Sequence, residues 1–312
     1  MPTMKRIQYH QYGGPEVMRL EEVEVPTPGK RQLLVRVMAA SANPADFVLR
    51  SGRLRLVTGR RFPRGLGHDF AGVVERVGDG VTRFKPGDAV FGGLMMRPAG
   101  AFAEWAVADE KNTAKKPAEL SFEEASSIAT AGTTGMSAVV KSFKVQAGQR
   151  VFITGCLGAV GRTAAQFALL RGASVAGSCR DTARADAEAL GIDPVVGFDF
   201  DPAPFAGRFD LVFDTAGALP LDVASSMLKP GGRIVDPVLS PGKIVRGLFS
   251  RQYKPEMVLW NSKDLEAMGQ AAAQGQVRFP VARTVPLDQA IGALTELETR
   301  RTPKGGKLVI TC

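Results

Sequence analysis

Cysteine, tyrosine and tryptophan are scarce in this chain: three, three and two residues among 312. Each scarcity excludes something. The cysteines, Cys156, Cys179 and Cys312, are odd in number and scattered. That excludes a disulfide framework and points to a reducing compartment, the cytoplasm. Their spacing is not that of a zinc site. No window approaches the roughly 18 uninterrupted apolar residues of a membrane span. The start, Met1-Pro2-Thr3-Met4-Lys5-Arg6, has no apolar run behind its basic residues, which argues against a signal peptide. There is no internal repeat and no low-complexity segment.

What is present describes a soluble globular chain. Apolar residues make up 45% and charged residues 23%, enough for an ample core, and the length suits two domains. The net charge of +9 is carried by basic residues spread through the chain. No recognised nucleic-acid motif accompanies them, so nucleic acid is not the expected partner. One cluster stands out: Arg50, Arg53, Arg55, Arg60, Arg61 and Arg64, with no acid among them. It reads either as a solvated basic loop or as a mouth that attracts an anionic cofactor or substrate, with RNA as a third reading.

The most informative stretch is Val151 to Gly161. An apolar, β-favouring run enters three glycines spaced by three, Gly155, Gly158 and Gly161. A helical pattern follows, Val160 to Leu170, and Gly172 ends it. A second strand, Ala173 to Gly177, starts at once. Strand, turn, helix and strand are the context a dinucleotide-binding turn requires. Glycines let the backbone approach a pyrophosphate, and the helix N-terminus offers it free N–H groups. Gly155, Leu157, Gly158, Ala159, Val160 and Gly161 are therefore candidate cofactor contacts.

The end of the second strand bears on which dinucleotide. An NAD site usually carries an acid there for the ribose 2′-OH. Here the position holds Ser178, and Arg180 and Arg184 follow. A hydroxyl with guanidinium groups suits a 2′-phosphate, so NADPH is the expected cofactor. The rival is Asp181, read here as the cap of a helix from Thr182 to Leu190.

Around this centre the chain changes character twice. Residues 5 to 38 alternate apolar and polar, and closely spaced turns punctuate further strands up to Val107, the pattern of a β-barrel-like domain. Pro44 opens a short helix after Asn43. Ser121-Phe122-Glu123-Glu124 is a capping box for a helix running toward Val140. From Arg150 strands and helices alternate, which gives a parallel sheet. Its later strands are Phe209 to Phe213, Gly232 to Asp236 and Glu256 to Trp260, with helices at Leu221 to Leu228 and Asp264 to Gln274. The tail, ending in Lys307 to Thr311, is expected to rejoin the first domain. The fold class is thus α/β, with residues 1–123 and 276–312 as the first domain and 124–275 as a doubly wound dinucleotide-binding domain.

The motifs resemble a known family. They are Asn43-Pro44-Ala45-Asp46, Gly65 to Val74, Lys85-Pro86-Gly87-Asp88-Ala89-Val90, Gly100 to Glu104, Ala131-Gly132-Thr133-Thr134, the glycine turn and Gly306 to Ile310. Over essentially its whole length the chain resembles the medium-chain dehydrogenase/reductase superfamily, in its zinc-independent quinone oxidoreductase-like branch. The resemblance implies a GroES-like catalytic domain and a Rossmann domain. It also implies NADPH-dependent hydride transfer to quinones or α,β-unsaturated carbonyls, and a homodimer. Zinc-dependent relatives hold their metal with Cys, His and Cys. Those positions are Asn43, His68 and Thr130 here, and the structural zinc lobe is absent. An amide and a hydroxyl do not replace two thiolates, so no metal is expected, and His68 is read as a structural residue. Without a metal, the protein must position a conjugated substrate and stabilise charge on its oxygen. Asn43 is the candidate donor to that oxygen, and it competes with a loop-capping role. Asp46 either orients Asn43 or caps the short helix. Thr134, with Thr130, matches positions near the nicotinamide in relatives. Tyr253 lies in a segment resembling one that reaches the substrate pocket. Ala216 and Leu239 follow strands whose carboxyl ends line ligand sites in such sheets. An enoyl-thioester reductase and a non-enzymatic NADPH-binding protein with an RNA-binding role are the alternatives.

Overall fold

The computed structural model describes residues 2–95, 99–217, 219–237, 242, 245, 250, 252–255, 260–300 and 305–312. The chain divides into two units. One comprises Met1–Thr130, Trp260–Gln274 and Phe279–Cys312, the other Ala131–Leu259 and Gly275–Arg278.

The first unit is built on antiparallel pairing. A three-stranded sheet has Thr3–Tyr9 at its centre, between Arg19–Glu24 and Arg64–Gly65. A seven-stranded sheet is organised around Gln32–Ser41, which pairs with Asp69–Val77, Trp105–Asp109 and the last strand, Lys307–Thr311. That last pairing sets Val309 opposite Ser41, so the tail closes back on the first domain. The alternation read in the sequence places Ile7, Leu33, Val35, Val37, Phe70, Phe102 and Ile310 in one continuous core.

The second unit is a six-stranded parallel sheet. Its order is Ile192–Val196, Ser174–Ser178, Arg150–Thr154, Phe209–Asp214, Leu228–Asp236, Tyr253–Pro255. Numbered along the chain this is 3-2-1-4-5-6, the doubly wound order, whose switch point lies between the first and fourth strands. Buried on both faces, the central strands are apolar runs: Val151, Phe152, Ile153, Leu211, Val212 and Phe213 are all fully enclosed.

Several expectations are corrected. The helix Ser262–Ala273 belongs to the first unit, not to the dinucleotide domain; its Gly269 lies close against Phe91 and Pro117. The sixth strand is Tyr253–Pro255; of the expected strand from Glu256 to Trp260, residues 256–259 lie outside the described residues. The helix entered by the capping box runs Phe122–Met136 and then widens into a π-helical turn, Ser137–Ser142. Both halves of that box form, Ser121 N–H to Glu124 at 2.8 Å and Glu124 N–H to Ser121 Oγ at 3.1 Å.

Candidate active site

Two constellations carry chemistry, one in each unit. The first is the glycine turn at the switch point. Gly155 leaves the first strand with φ +59°. Gly158 precedes the helix Ala159–Leu170. A Cβ on Gly161 would lie 3.0 Å from Cys156 Cα and nearer still to the Gly155 carbonyl oxygen. The third glycine therefore lets helix and turn close on each other, and the first helical N–H groups face the loop. The turn is tied to the neighbouring strand ends. Thr154 Oγ1 donates to Asp214 Oδ1 at 2.6 Å, Thr215 Oγ1 donates to the Thr154 carbonyl at 2.6 Å, and Cys156 N–H donates to the Ser178 carbonyl at 3.0 Å. Ala216 lies in the turn after Asp214, beside Thr215. Leu239 lies outside the described residues.

The specificity end is only partly as expected. Ser178 ends the second strand, buried, and Arg180 next to it is exposed. Asp181 does not cap a helix. It starts a 3-10 turn, Asp181–Ala183, and its carboxylate pairs with Arg184 at 3.3 Å. Arg184 also donates to the Val195 carbonyl. Its guanidinium is thereby held within the unit, which leaves Ser178 and Arg180 as the groups free of such ties. Cys156 and Cys179 are both buried, and burial pushes the Cys156 thiol up to about 12.

The second constellation is a buried polar cluster in the first unit. It brings together the three positions aligned with zinc ligands, Asn43, His68 and Thr130, and adds Ser41, Asp46, Asp69, Trp260 and Lys307. Asp46 accepts the Asn43 backbone N–H at 2.7 Å through one oxygen and His68 Nδ1 through the other. Asp69 accepts from Asn43 Nδ2 at 2.9 Å, from the Thr130 backbone N–H at 3.2 Å and from the Thr130 hydroxyl. Trp260 Nε1 donates to that hydroxyl at 3.1 Å, and its indole lies nearly parallel to the His68 ring, centroids 6.5 Å apart. A Cβ on Gly93 would lie 2.6 Å from Trp260 Cδ2, so this glycine is the seat of the indole. Lys307 Nζ donates to Asn43 Oδ1 at 2.6 Å and to the Ala42 carbonyl at 2.8 Å.

The electrostatics follow from burial. Burial pulls the His68 imidazole down, but the hydrogen bond and charge of Asp46, with Asp69 behind it, outweigh it and raise its pKa. Burial raises Asp69 against the opposing pull of Lys307, Thr130 and Asn43. Burial lowers Lys307, although Asp69 and Asp46 favour its charged form.

This geometry bears on several of the expected roles. The Asn43 amide is not an open donor: Nδ2 is bound by Asp69 and faces the Ser41 carbonyl at 3.4 Å, and Oδ1 is bound by Lys307. Asp46 performs the reach-back half of a capping box for the helix Pro44–Arg50 and also holds His68. Tyr253 is not on a loop. It opens the sixth strand, buried, with its hydroxyl 3.2 Å from Asp236 Oδ2. Thr134 is buried within the helix Phe122–Met136. The arginine cluster is not one patch. Arg50 is fully buried and forked onto Glu298 at 2.7 Å through both oxygens. Arg64 is bound to the Arg61, Thr58 and Gly59 carbonyls. Arg53, Arg55, Arg60 and Arg61 remain exposed. Lys307, Asp69 and Trp260 had no assigned role in the sequence reading.

Comparison with known proteins places these features. Residues 29–118 match the family model of the alcohol dehydrogenase GroES-like domain, and residues 190–310 match that of zinc-binding dehydrogenases. The chain is 29% identical to a chloroplast envelope quinone oxidoreductase homolog of Arabidopsis thaliana, over 92% of each chain. It is 30% identical to the 2-methylene-furan-3-one reductase of Solanum lycopersicum, over 98% of this chain and 79% of that one. The structure of the quinone oxidoreductase from Coxiella burnetii superposes with a TM-score of 0.89 at 30% identity, covering all of both chains.

Proposed function

We propose, from the premise that this chain belongs to the quinone oxidoreductase-like branch of the medium-chain dehydrogenase/reductase superfamily, that it is an NADPH-dependent reductase working without zinc. It is an oxidoreductase of a family that uses a nicotinamide cofactor. Its substrates in this reading are quinones or α,β-unsaturated carbonyls, the classes named in its relatives.

The observation that carries the reading is Lys307 Nζ at 2.6 Å from Asn43 Oδ1. Zinc binds thiolate, imidazole and carboxylate donors. Here the aligned positions offer one imidazole, an amide oxygen held by an ammonium, and a hydroxyl bound to Asp69 and Trp260. Among the described residues no group of three His, Cys, Asp or Glu is placed to hold a metal ion. The donor set does not fit zinc, so no step runs through one. Without a Lewis acid the acceptor must already be electrophilic, and a conjugated carbonyl or quinone is.

The glycine turn fits a dinucleotide, which supplies hydride when bound. Gly155, Leu157, Gly158, Ala159, Val160 and Gly161 would hold its pyrophosphate at the helix N-terminus. Ser178 and Arg180 would meet the 2′-phosphate, with Arg184 supporting the loop. Thr130, Thr134, Ala216 and Leu239 are proposed toward the nicotinamide. Asn43 and Asp46 are positioning residues in this reading. Tyr253, bonded to Asp236, is withdrawn as a pocket residue. The exposed arginines alone do not favour a thioester substrate, nor an RNA-binding role. The free, buried Cys156 and Cys179 suit a reducing compartment such as the cytoplasm, and a homodimer is proposed on family grounds.

The test is NADPH oxidation, with NADH in parallel, against 1,4-quinones, enones and enoyl-CoA esters in the presence of EDTA. NADPH-selective turnover of quinones or enones that survives the chelator is expected. Loss of turnover to EDTA, with recovery on adding zinc, overturns the metal-free reading.

A further inference from the structure

From Arg50 to Arg64 the chain carries six arginines and no acid, and the fold sorts these arginines into two kinds. Two are spent inward. Arg50 is buried on Glu298. Arg64 donates to the Arg61 carbonyl at 2.8 Å and to the Gly59 carbonyl at 2.9 Å, and its guanidinium lies over the Tyr12 and Phe62 rings, 5.4 and 5.3 Å from their centroids. The Tyr12 hydroxyl lies 2.8 Å from Thr58 Oγ1 and donates to the Gly59 carbonyl. These bonds brace the loop from within. The other four, Arg53, Arg55, Arg60 and Arg61, are exposed, and none of them has an ion-pair partner among the described residues.

Between these four stands a leucine. The short helix Arg55–Thr58 turns Thr58 into the protein. Two residues along a helix turn through about 200°, so Leu56 faces the opposite way and is 97% exposed. A single exposed leucine means little by itself. One placed among four unpaired guanidinium groups, on a braced loop, has a matching surface. Anionic lipid headgroups answer the charge, and the acyl boundary beneath them answers the leucine. A nucleic acid would answer the charge and leave Leu56 in water. The rings of this region that could stack on bases, Tyr12 and Phe62, are partly buried and already carry Arg64 on their faces.

We propose that the loop from Arg53 to Arg61 is a docking surface for an anionic lipid bilayer. Leu56 enters the headgroup region, and Arg53, Arg55, Arg60 and Arg61 pair with lipid phosphates. The proposal stands apart from the reductase reading and does not depend on it. The contact is peripheral, since among the described residues no helix is long and apolar enough to cross a membrane. Each arginine near an anionic surface strengthens binding about fivefold, and burial of the leucine about tenfold. The attraction reaches about 8 Å at physiological ionic strength and less in high salt. Because Tyr12 and Arg64 already order the loop, docking spends little on ordering it.

The test is vesicle sedimentation of the full chain. One set of vesicles is phosphatidylcholine mixed with phosphatidylglycerol, the other phosphatidylcholine alone. The parent protein should sediment with the mixed vesicles at low salt, leave them at high salt and ignore the neutral ones. Arg55→Glu, Arg60→Glu and Arg61→Glu together should weaken the binding by roughly 100-fold or more. Lys111→Glu, Lys144→Glu and Arg208→Glu, at exposed positions outside the loop, make the same change in net charge and should weaken it by no more than about threefold. Leu56→Ser should cost about tenfold and keep the salt dependence. A parent protein indifferent to the anionic vesicles overturns the proposal. So do equal losses in the two triple variants, a Leu56→Ser protein that binds like the parent, or release from the vesicles by a short single-stranded RNA at physiological salt. All substituted side chains are exposed, and the comparison of vesicles and salts needs no variant, so a folding failure in one variant does not leave the question open.

Discussion

Replacing Gly161 by alanine adds one methyl at the tightest point of the candidate cofactor site. The new Cβ would lie 3.0 Å from Cys156 Cα and nearer still to the Gly155 carbonyl oxygen. Carbon atoms rest at about 3.5–4.0 Å, and both obstacles are backbone, so no side chain can swing aside. The turn must open or the helix Ala159–Leu170 must slide, by roughly half an ångström to one ångström. Overpacking of this kind costs about 1–3 kcal/mol. For a domain of this size that lowers Tm by roughly 2–4 °C per kcal/mol. Binding should suffer more than folding, because the N–H groups meant for the pyrophosphate move with the turn. A misplacement near 1 Å costs on the order of 100-fold in a positioned site. Differential scanning fluorimetry reads the first effect and NADPH fluorescence titration the second. A Gly161→Ala protein that binds NADPH as tightly as the parent refutes the placement of the pyrophosphate on this turn.

Other outcomes follow from the same geometry. Ser178→Asp with Arg180→Ala should shift preference from NADPH toward NADH, because a carboxylate repels a 2′-phosphate and favours a 2′-OH; unchanged preference in paired KM measurements would place the ribose elsewhere. Gly292→Ala, on the helix Ala290–Arg300 with open space where its Cβ would go, should stabilise the protein by about 1 kcal/mol in urea melts, the helix-propensity difference. Asp210 is squeezed upward by burial, but Lys229 at 2.7 Å and the Arg150 N–H at 2.8 Å outweigh it and hold its pKa low. A carboxylate lowered on folding adds stability above its unfolded pKa of about 3.9 and loses it as pH falls through the folded value. Asp210→Asn should therefore cost about 1 kcal/mol near pH 7, with the difference shrinking below about pH 4 in urea melts.

Much of this molecule can be read locally. The glycine turn is a contiguous motif whose meaning depends on the strand before it and the helix after it, and the doubly wound order follows from the alternation of elements. The polar cluster is different, because its members meet only through long-range pairing. Lys307 reaches Ala42 and Asn43 because the last strand pairs with Gln32–Ser41. A lysine opening the apolar run Leu308-Val309-Ile310 was the one local sign of a buried cation. Trp260 was absorbed into an expected strand, since an apolar stretch alone does not distinguish a strand from a chain returning to another unit. For Asn43 the sequence offered either a donor to the substrate's oxygen or a loop cap. Sequence position cannot reveal that Asp69 and Lys307 take up its amide.

The most direct test of the central claim follows the hydride itself. Protein stripped of metal with EDTA is given NADPH deuterated at the transferable C4 position and a small enone, and the saturated product is weighed by mass spectrometry. A product heavier by one deuterium at the β-carbon is the result the account predicts. Reduction that appears only after zinc is restored, or a product without the label, would contradict it.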